Sequence, residues 1–229
     1  MGISSILPGK RNDAAIAAMA AELQSLYGDR FQTGRDIRAQ HAHTTTWVPP
    51  QVPDGVLFVE TADDVSTIVR LAARHGVPLI PFGVGTSLEG QVNAPSGGFS
   101  LDFSRMNRVL SVNAADLDCT VEPGITREEL NVHLRDTGLF FPIDLGADPR
   151  LGGMLATNTG GSRFLKYGDV RRNTLGLTVV LADDQGTVLD LSSDLRKNNT
   201  GVDWKQLFVG TSGAFGIITE CMLNLEPLP

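Results

Sequence analysis

The sequence predicts an α+β fold whose mixed sheets are flanked by helices and form two lobes. Short β-like runs outnumber helical patterns along the 229 residues, which favours this class over a doubly wound parallel sheet. Residues 56–81 have the pattern of a strand, a helix and a second strand, a unit that normally lays two parallel strands side by side. Eighteen of the 25 glycines lie in three stretches, 76–98, 138–176 and 201–216, so unusual backbone conformations are expected there.

The individual elements are predicted from periodicity and capping residues. Apolar residues recur at helical spacing between Asp13, a capping residue, and Gly28, a terminating glycine. The irregular segment 31–53 is expected to be an ordered loop or linker. Thr61 and Thr126 begin two further helical patterns as capping-box residues. Strands are predicted over 56–60, 77–81, 98–103, 109–112, 119–122, 175–181, 188–191 and 216–225.

The composition argues against a polyanionic partner. The chain has 19 Lys+Arg against 26 Asp+Glu and a formal charge of -7, so neither nucleic acid nor an anionic membrane is expected to bind. No run approaches the roughly 20 apolar residues that span a bilayer, and residues 1–10 contain no apolar run of signal-peptide length. The expected location is therefore cytoplasmic, with Cys119 and Cys221 as buried free thiols.

The first glycine-rich loop, PFGVGTSLEG at 81–90, follows a predicted buried strand. Its glycines and hydroxyls allow backbone N–H groups to converge on an anion such as a pyrophosphate. A Rossmann fingerprint would need a glycine at Leu88 and a following helix, and a Walker loop would need Lys and Ser or Thr at Gln91 and Val92. The loop therefore predicts neither a Rossmann NAD site nor an ATPase site.

Two more segments of small residues favour one extended ligand. LGGMLATNTGGS at 151–162 has small residues at nearly every second position, and GTSGAFGIITE at 210–220 turns through glycine into a predicted strand. One such loop alone is most simply a tight turn. Three of them with almost no charge indicate a long, mostly apolar slot.

Six motifs, in this order, resemble the FAD-binding domain of the vanillyl-alcohol oxidase and p-cresol methylhydroxylase (PCMH) family, especially its D-lactate dehydrogenase and glycolate oxidase branch. They are PFGVGTSLEG at 81–90, VEPGITREELNVHL at 121–134, FPIDLGADP at 141–149, LGGMLATNTGG at 151–161, KYGDVRRN at 166–173 and FVGTSGAFGIIT at 208–219. The resemblance runs from about residue 52 to the last residue. It implies a two-lobed FAD-binding domain over 51–229, with a small lobe over about 51–115 and a larger lobe over about 116–229. An N-terminal helix and linker over 1–50 would precede it.

The resemblance also implies which residues hold FAD. The first loop would bind the pyrophosphate, the segments from 142 to 168 would line the channel toward the isoalloxazine ring, and the start of the last strand would pack near the adenine. The residues implied are Pro81, Phe82, Gly83, Val84, Gly85, Thr86, Ser87, Pro142, Ala147, Gly152, Gly153, Ala156, Thr157, Gly160, Gly161, Gly168, Gly216, Ile217 and Ile218.

The positions of the histidines predict how FAD is attached and whether the chain carries catalytic residues. Covalent flavin in the wider family uses a histidine near the pyrophosphate loop, and none occurs between His75 and His133, so FAD is expected to be noncovalent. In the hydroxy-acid branch the metal-binding and acid–base histidines lie in a C-terminal cap domain that is expected to be absent here. His41 and His43 form a weak candidate metal pair without an acidic neighbour in the sequence. No catalytic residue and no metal ligand is assigned to the chain.

The leading hypothesis is the flavin portion of an enzyme that oxidises a D-2-hydroxy acid, such as lactate or glycolate, and passes electrons to an external acceptor. One alternative is a flavin reductase of the same fold, of the UDP-sugar enolpyruvyl type, against which FPIDLGADP argues. The other is a nonenzymatic partner-binding subunit that has lost the flavin, against which the intact glycines count. The sequence leaves open the particular hydroxy acid, the acceptor and the oligomeric state.

Overall fold

The computed structural model of the chain describes residues 10–193 and 195–229. The expectation about a signal peptide concerns residues 1–10, of which residues 1–9 lie outside the described part. The helices are α1 (Asp13–Tyr27), α2 (Arg35–Gln40), α3 (Ala62–His75), α4 (Arg127–Leu134), α5 (Leu151–Ala156) and α6 (Phe164–Tyr167). The strands are β1 (Phe31–Gln32), β2 (Gly55–Phe58), β3 (Leu79–Phe82), β4 (Phe99–Asp102), β5 (Val109–Asn113), β6 (Asp118–Val121), β7 (Leu139–Phe140), β8 (Thr174–Leu181), β9 (Val188–Asp190), β10 (Gly216–Asn224) and β11 (Glu226–Pro227).

The helix starts agree with the capping residues of the sequence. Thr61 caps α3, because its side chain accepts a hydrogen bond from the backbone of Asp64. Thr126 and Glu129 form the complete reciprocal capping box of α4. The cap of α1 is Asn12 rather than Asp13, since the Asn12 side chain accepts from the Ala15 N–H.

Two main sheets form the two lobes, which confirms the predicted α+β class with mixed sheets. The first has the order β1-β2-β4-β3, with β2, β4 and β3 parallel and β1 antiparallel. The second is antiparallel, in the order β5-β6-β10-β8-β9, and β7 pairs with β11 in a separate ribbon. The strands of the predicted strand–helix–strand unit, β2 and β3, are parallel but not adjacent. β4 lies between them and hydrogen-bonds to both.

The N-terminal segment is part of the small lobe rather than a linker. Ile16, Met19 and Leu23 of α1 are buried in the same apolar core as β2, α3 and β4, and β1 adds an antiparallel edge strand through Phe31 and Leu57. At the other end, β5 pairs with β6 in the second sheet. The lobes therefore divide between β4 and β5, earlier than the expected residue 115.

The large lobe has its own core, in which α4 and α5 pack against the second sheet. Leu130, Met154 and Leu177 are buried there. Cys119 and Cys221 are free and buried in this core, as expected. Burial raises the pKa of the Cys119 thiol to about 12, so it is protonated and unreactive at neutral pH.

The part of the chain that the structure describes contains no helix with both the length and the apolar character needed to cross a membrane.

The lobes meet so closely at Gly124 that a side chain there has no space. A Cβ atom placed on Gly124 would lie 1.7 Å from the Phe103 carbonyl oxygen and 2.6 Å from that of Met106. The Gly124 N–H donates to the Met106 oxygen at 2.7 Å. Because both oxygens belong to the backbone, a side chain at Gly124 would fit only if the backbone of one lobe moved against the other.

We therefore expect Gly124→Ala to lower the free energy of unfolding by at least about 2 kcal/mol. Gly146→Ala is the matched control, because an added Cβ meets no atom within 4 Å at that position, and its effect should stay within about 0.5 kcal/mol. Urea denaturation of both variants measures the difference. Equal stability of the two variants would contradict this close approach of the lobes.

Candidate functional site

A cavity of about 660 Å³ lies between the two lobes. This volume is within the range of roughly 300–1,000 Å³ that is typical of small-molecule sites. Three segments supply most of its lining: the loop after β3 from the small lobe, and the region of α5 and the start of β10 from the large lobe. The same three glycine-rich stretches that stand out in the sequence therefore meet around one cavity.

The loop after β3 carries unpaired backbone donors. Among the hydrogen bonds of residues 10–193 and 195–229, none is donated by a backbone N–H of residues 83–87. Gly85 has a φ of +71°, and a Cβ there would lie 2.7 Å from the His43 carbonyl oxygen, so the position requires glycine. A run of free N–H groups lining a cavity is suited to an anion.

The segment before the small lobe's parallel strands supports this loop from behind. The Thr44 hydroxyl donates to the Ser87 carbonyl oxygen at 2.6 Å. The ring of His41 packs on Phe82 with a centroid distance of 4.3 Å. The stretch 31–53, which the sequence showed only as irregular, thus holds the first loop in position.

The helix α5 presents its glycines in two different ways. A Cβ on Gly152 would lie 2.6 Å from the Cβ of Pro123, so this glycine permits close packing. A Cβ on Gly153 would meet no atom within 4 Å, and Gly153 lines the cavity. At the end of the helix the Thr157 hydroxyl donates to the Gly153 carbonyl oxygen at 2.9 Å. One side of α5 is therefore packed against the lobe and the other is open to the cavity.

The third segment brings the large lobe against the β3 end of the small lobe. Gly213 has a φ of +83°, and a Cβ on it would lie 3.5 Å from the ring of Pro81. Three residues further on, the chain enters β10, where Ile217 and Ile218 line the cavity. Ile217 is also part of the small-lobe core. The start of β10 therefore closes the cavity with apolar side chains.

Most of the residues implied by the sequence lie around this cavity. Its lining includes Pro81, Phe82, Gly83, Val84, Gly85, Thr86, Ser87, Ala147, Gly152, Gly153, Ala156, Thr157, Gly216, Ile217 and Ile218. Four expected residues do not line it, namely Pro142, Gly160, Gly161 and Gly168.

The two most constrained of those four have structural reasons to be glycine. A Cβ on Gly161 would lie 2.3 Å from the Asp144 carbonyl oxygen, so Gly161 permits a close backbone approach. Gly168 ends α6 with a φ of +79°. In this structure Gly161 permits close packing and Gly168 forms a turn, and a contact of either glycine with FAD stays a prediction.

Sequence reasoning missed residues that reach the cavity from other elements. Phe103, Pro123 and Phe208 line it although no small-residue pattern marks them. The lining contains two charged side chains, Glu89 and Arg150. A signal for Arg150 existed, because it is a cation that directly precedes the uncharged stretch 151–162.

A buried histidine–aspartate pair lies directly behind Phe82. His41 Nε2 is 2.8 Å from Asp102 Oδ2, and His41 Nδ1 is 2.8 Å from the Ile37 carbonyl oxygen. Both partners carry acceptor oxygens, so each ring nitrogen of His41 faces an acceptor. The sequence shows no acidic partner close to His41 along the chain, but the fold brings Asp102 to it from the end of β4. His43 is exposed and does not share these partners.

The surroundings of Asp102 stabilise its charged form. Burial alone would raise the pKa of this carboxyl, but hydrogen bonds from His41 and Ser104 hold the pKa below its usual 3.8. A lowered pKa in the folded state means that ionisation of Asp102 stabilises the fold. The pair is thus a buried, hydrogen-bonded support behind Phe82.

Comparison with known families identifies this arrangement. The model of the FAD binding domain family matches residues 53–192. The chain belongs to this family. FAD is its cofactor, and the matched range contains both the first loop and α5, which face the cavity.

Several relatives of this FAD-binding domain carry the names of D-lactate dehydrogenases or of a glycolate oxidase subunit. The chain is 40% identical over 220 residues to the probable mitochondrial D-lactate dehydrogenase of Danio rerio, covering 94% of the chain and 44% of the relative. It is 34% identical to glycolate oxidase subunit GlcD of Bacillus subtilis strain 168, covering 88% of the chain and 43% of the relative. The chain thus spans less than half the length of these relatives.

The solved structure of alkyldihydroxyacetonephosphate synthase has the same fold. It superposes with a TM-score of 0.83 at 24% identity, over 100% of this chain and 43% of that one. One fold can support different reactions, so this similarity establishes the architecture of the chain. Its reaction has to be argued from the residues of the site.

The charge of Asp102 provides a test of the support behind Phe82. Asp102→Asn keeps the shape of the side chain and removes its charge, so we expect a loss of about 2 kcal/mol in the free energy of unfolding at neutral pH. Because the folded-state pKa is lowered, the wild-type advantage is fully present above about pH 4 and disappears as the pH falls through that pKa.

Urea denaturation at several pH values from neutral to acidic measures this convergence. Asp136→Asn is the control, since the Asp136 side chain is 90% exposed and its charge should contribute little. A stability difference for Asp102→Asn that did not change with pH would assign the loss to packing and not to charge.

Proposed function

We propose that this chain is the FAD-holding portion of an enzyme that oxidises a D-2-hydroxy acid, lactate- or glycolate-like, and passes the electrons to an external acceptor. The observation that carries the proposal is the cavity between the lobes. It has free N–H groups at one end and an open, largely uncharged wall along α5 and β10. The names of the similar proteins supply the substrate class.

The residues present fit FAD. The free N–H groups of residues 83–87 suit the diphosphate, and the open face of Gly153 leaves room for a flat ring system. Ile217 and Ile218 offer the apolar contact that an adenine prefers. When bound, FAD supplies a hydride acceptor that can be reoxidised by an external acceptor.

The chain's own residues bind and orient, and we assign none of them a proton-transfer step. The described lining of the cavity contains no histidine, the usual general base. The substrate's carbon would therefore be presented to the cavity by groups outside these residues, in keeping with the cap domain that the family resemblance implies.

Noncovalent attachment is part of the proposal. The cavity lining has no histidine or cysteine, and both cysteines are buried in the large-lobe core. These two free thiols also support a reducing compartment such as the cytoplasm. The reductase and partner-binding alternatives have no observation of their own in this site.

The first test is whether the purified protein retains flavin colour after FAD is added and the excess is removed. We expect a bound visible absorbance that is released into the supernatant by acid precipitation of the protein, because no bond attaches the cofactor. Colour that stays with the precipitate would contradict the noncovalent proposal. A folded protein that retains no flavin would contradict FAD binding and favour a partner-binding module.

The open face of α5 predicts a variant that loses the cofactor without losing the fold. Gly153→Leu places a side chain in the cavity where an added Cβ meets nothing, so we expect FAD affinity to fall more than about tenfold by steric exclusion. The melting temperature should be maintained, because leucine favours helix over glycine. Ala73→Leu, on the exposed face of α3, is the control and should bind FAD normally. Normal binding by Gly153→Leu would place FAD elsewhere.

Anaerobic reduction of the flavin, measured in the whole enzyme that supplies those substrate-presenting groups, separates the two enzymatic candidates. Bleaching by D-lactate and not by L-lactate supports the hydroxy-acid proposal. Bleaching by a reduced nicotinamide coenzyme in place of both would favour the reductase of the same fold.

A further inference from the structure

We propose that Arg150 pairs with the diphosphate of FAD and is the cation that makes this cavity prefer a diphosphate-bearing flavin over an uncharged one. The inference rests on the proposed FAD site and adds to it a charged contact. The free N–H groups of the first loop are neutral donors, so they leave the charge of a diphosphate without a counterion.

The backbone places Arg150 at the junction of the two lobes. It forms an isolated antiparallel bridge with Thr126, and the next residue donates from its N–H to the Ile125 carbonyl oxygen at 2.9 Å. Its aliphatic stem lies along the first loop, because a Cβ on Gly83 would be 3.6 Å from Arg150 Cβ and 4.0 Å from Cδ. The cation is therefore carried beside the loop whose N–H groups are free.

The guanidinium of Arg150 is only partly satisfied within the described chain. It has five N–H donors, and Nη1 donates to the Gly124 carbonyl oxygen. Its Nε is buried and has no hydrogen-bond partner. Its Nη2 donates no hydrogen bond among the described residues and is not among the buried atoms, so this end of the guanidinium is open to an anionic acceptor.

Arg150 also has no carboxylate within ion-pair distance among residues 10–193 and 195–229. Arg127, nearby in the same lobe, pairs with Glu128 at 2.9 Å and Asp144 at 3.2 Å. The other charged residue of the lining, Glu89, accepts a hydrogen bond from Gln91. Arg150 is thus the cation of the cavity that the protein itself leaves without a counter-charge.

A diphosphate supplies what this guanidinium lacks. Hydrogen bonds between a guanidinium and a phosphate oxygen are charge-assisted and about twice as strong as neutral ones. The planar fork suits two phosphate oxygens at once, whereas a lysine would act as a point charge. If Arg150 only connected α5 to Gly124, its replacement would lower the affinity for all flavins equally.

The experiment measures the affinity of the protein for FAD, with ADP and riboflavin as competing ligands. Arg150→Met keeps the stem over Gly83 and removes the charge, and Arg150→Lys keeps the charge without the fork. Arg163→Met is the control, because that guanidinium is 50% exposed and does not line the cavity.

We expect Arg150→Met to weaken FAD and ADP binding by about 10- to 100-fold and to leave riboflavin within about twofold. The salt dependence of FAD binding should become shallower, because one cation is removed. Arg150→Lys should recover part of the affinity, and Arg163→Met should behave as wild type.

Two outcomes would overturn the inference. An equal loss for FAD and riboflavin, or a fall in melting temperature that accounts for the loss, would make Arg150 structural. If Arg150→Met binds FAD with wild-type affinity, Arg150 does not pair with the diphosphate, although the protein still binds FAD. Failure of the wild-type protein to bind FAD would instead contradict the proposed function itself.

Discussion

The close approach of the two lobes, at positions where only glycine fits, is the constraint on which the site depends. Gly124 of the large lobe lies against the Phe103 carbonyl, and Gly186 lies against Ser66 of α3, where an added Cβ would be 2.3 Å from the Ser66 carbonyl oxygen. The Ser66 hydroxyl also donates to the Gly186 oxygen at 2.6 Å. These contacts set the separation of the lobes, and the cavity is the space left between them.

The electrostatics of the site follow from this arrangement. The cavity wall is built mostly from glycines and apolar side chains, which suits a flat aromatic ligand. Polar groups concentrate near the first loop, where free N–H groups and Arg150 lie. The His41–Asp102 pair behind Phe82 contributes a buried, hydrogen-bonded support. Charge is thus present where a diphosphate would lie and nearly absent along the rest of the slot.

The described lining of the cavity has the features of a binding site and contains no histidine. A flavin supplies the redox chemistry, so a protein domain can contribute mainly by holding and orienting it. The same fold in alkyldihydroxyacetonephosphate synthase shows that this architecture is not tied to one named reaction.

Local patterns in the sequence determined the class of fold, the capped helices and most of the cavity. Thr61, Thr126 and the loop at 81–87 were predictable because a cap or a glycine turn is formed by neighbouring residues. Only the tertiary structure decided that β4 separates β2 from β3, that α1 belongs to the small lobe, and that His41 meets Asp102, 61 residues further along. The tertiary structure also decided that Arg150 has no carboxylate within ion-pair distance among the described residues. Such contacts depend on packing between distant segments, which no periodicity or spacing in the chain records.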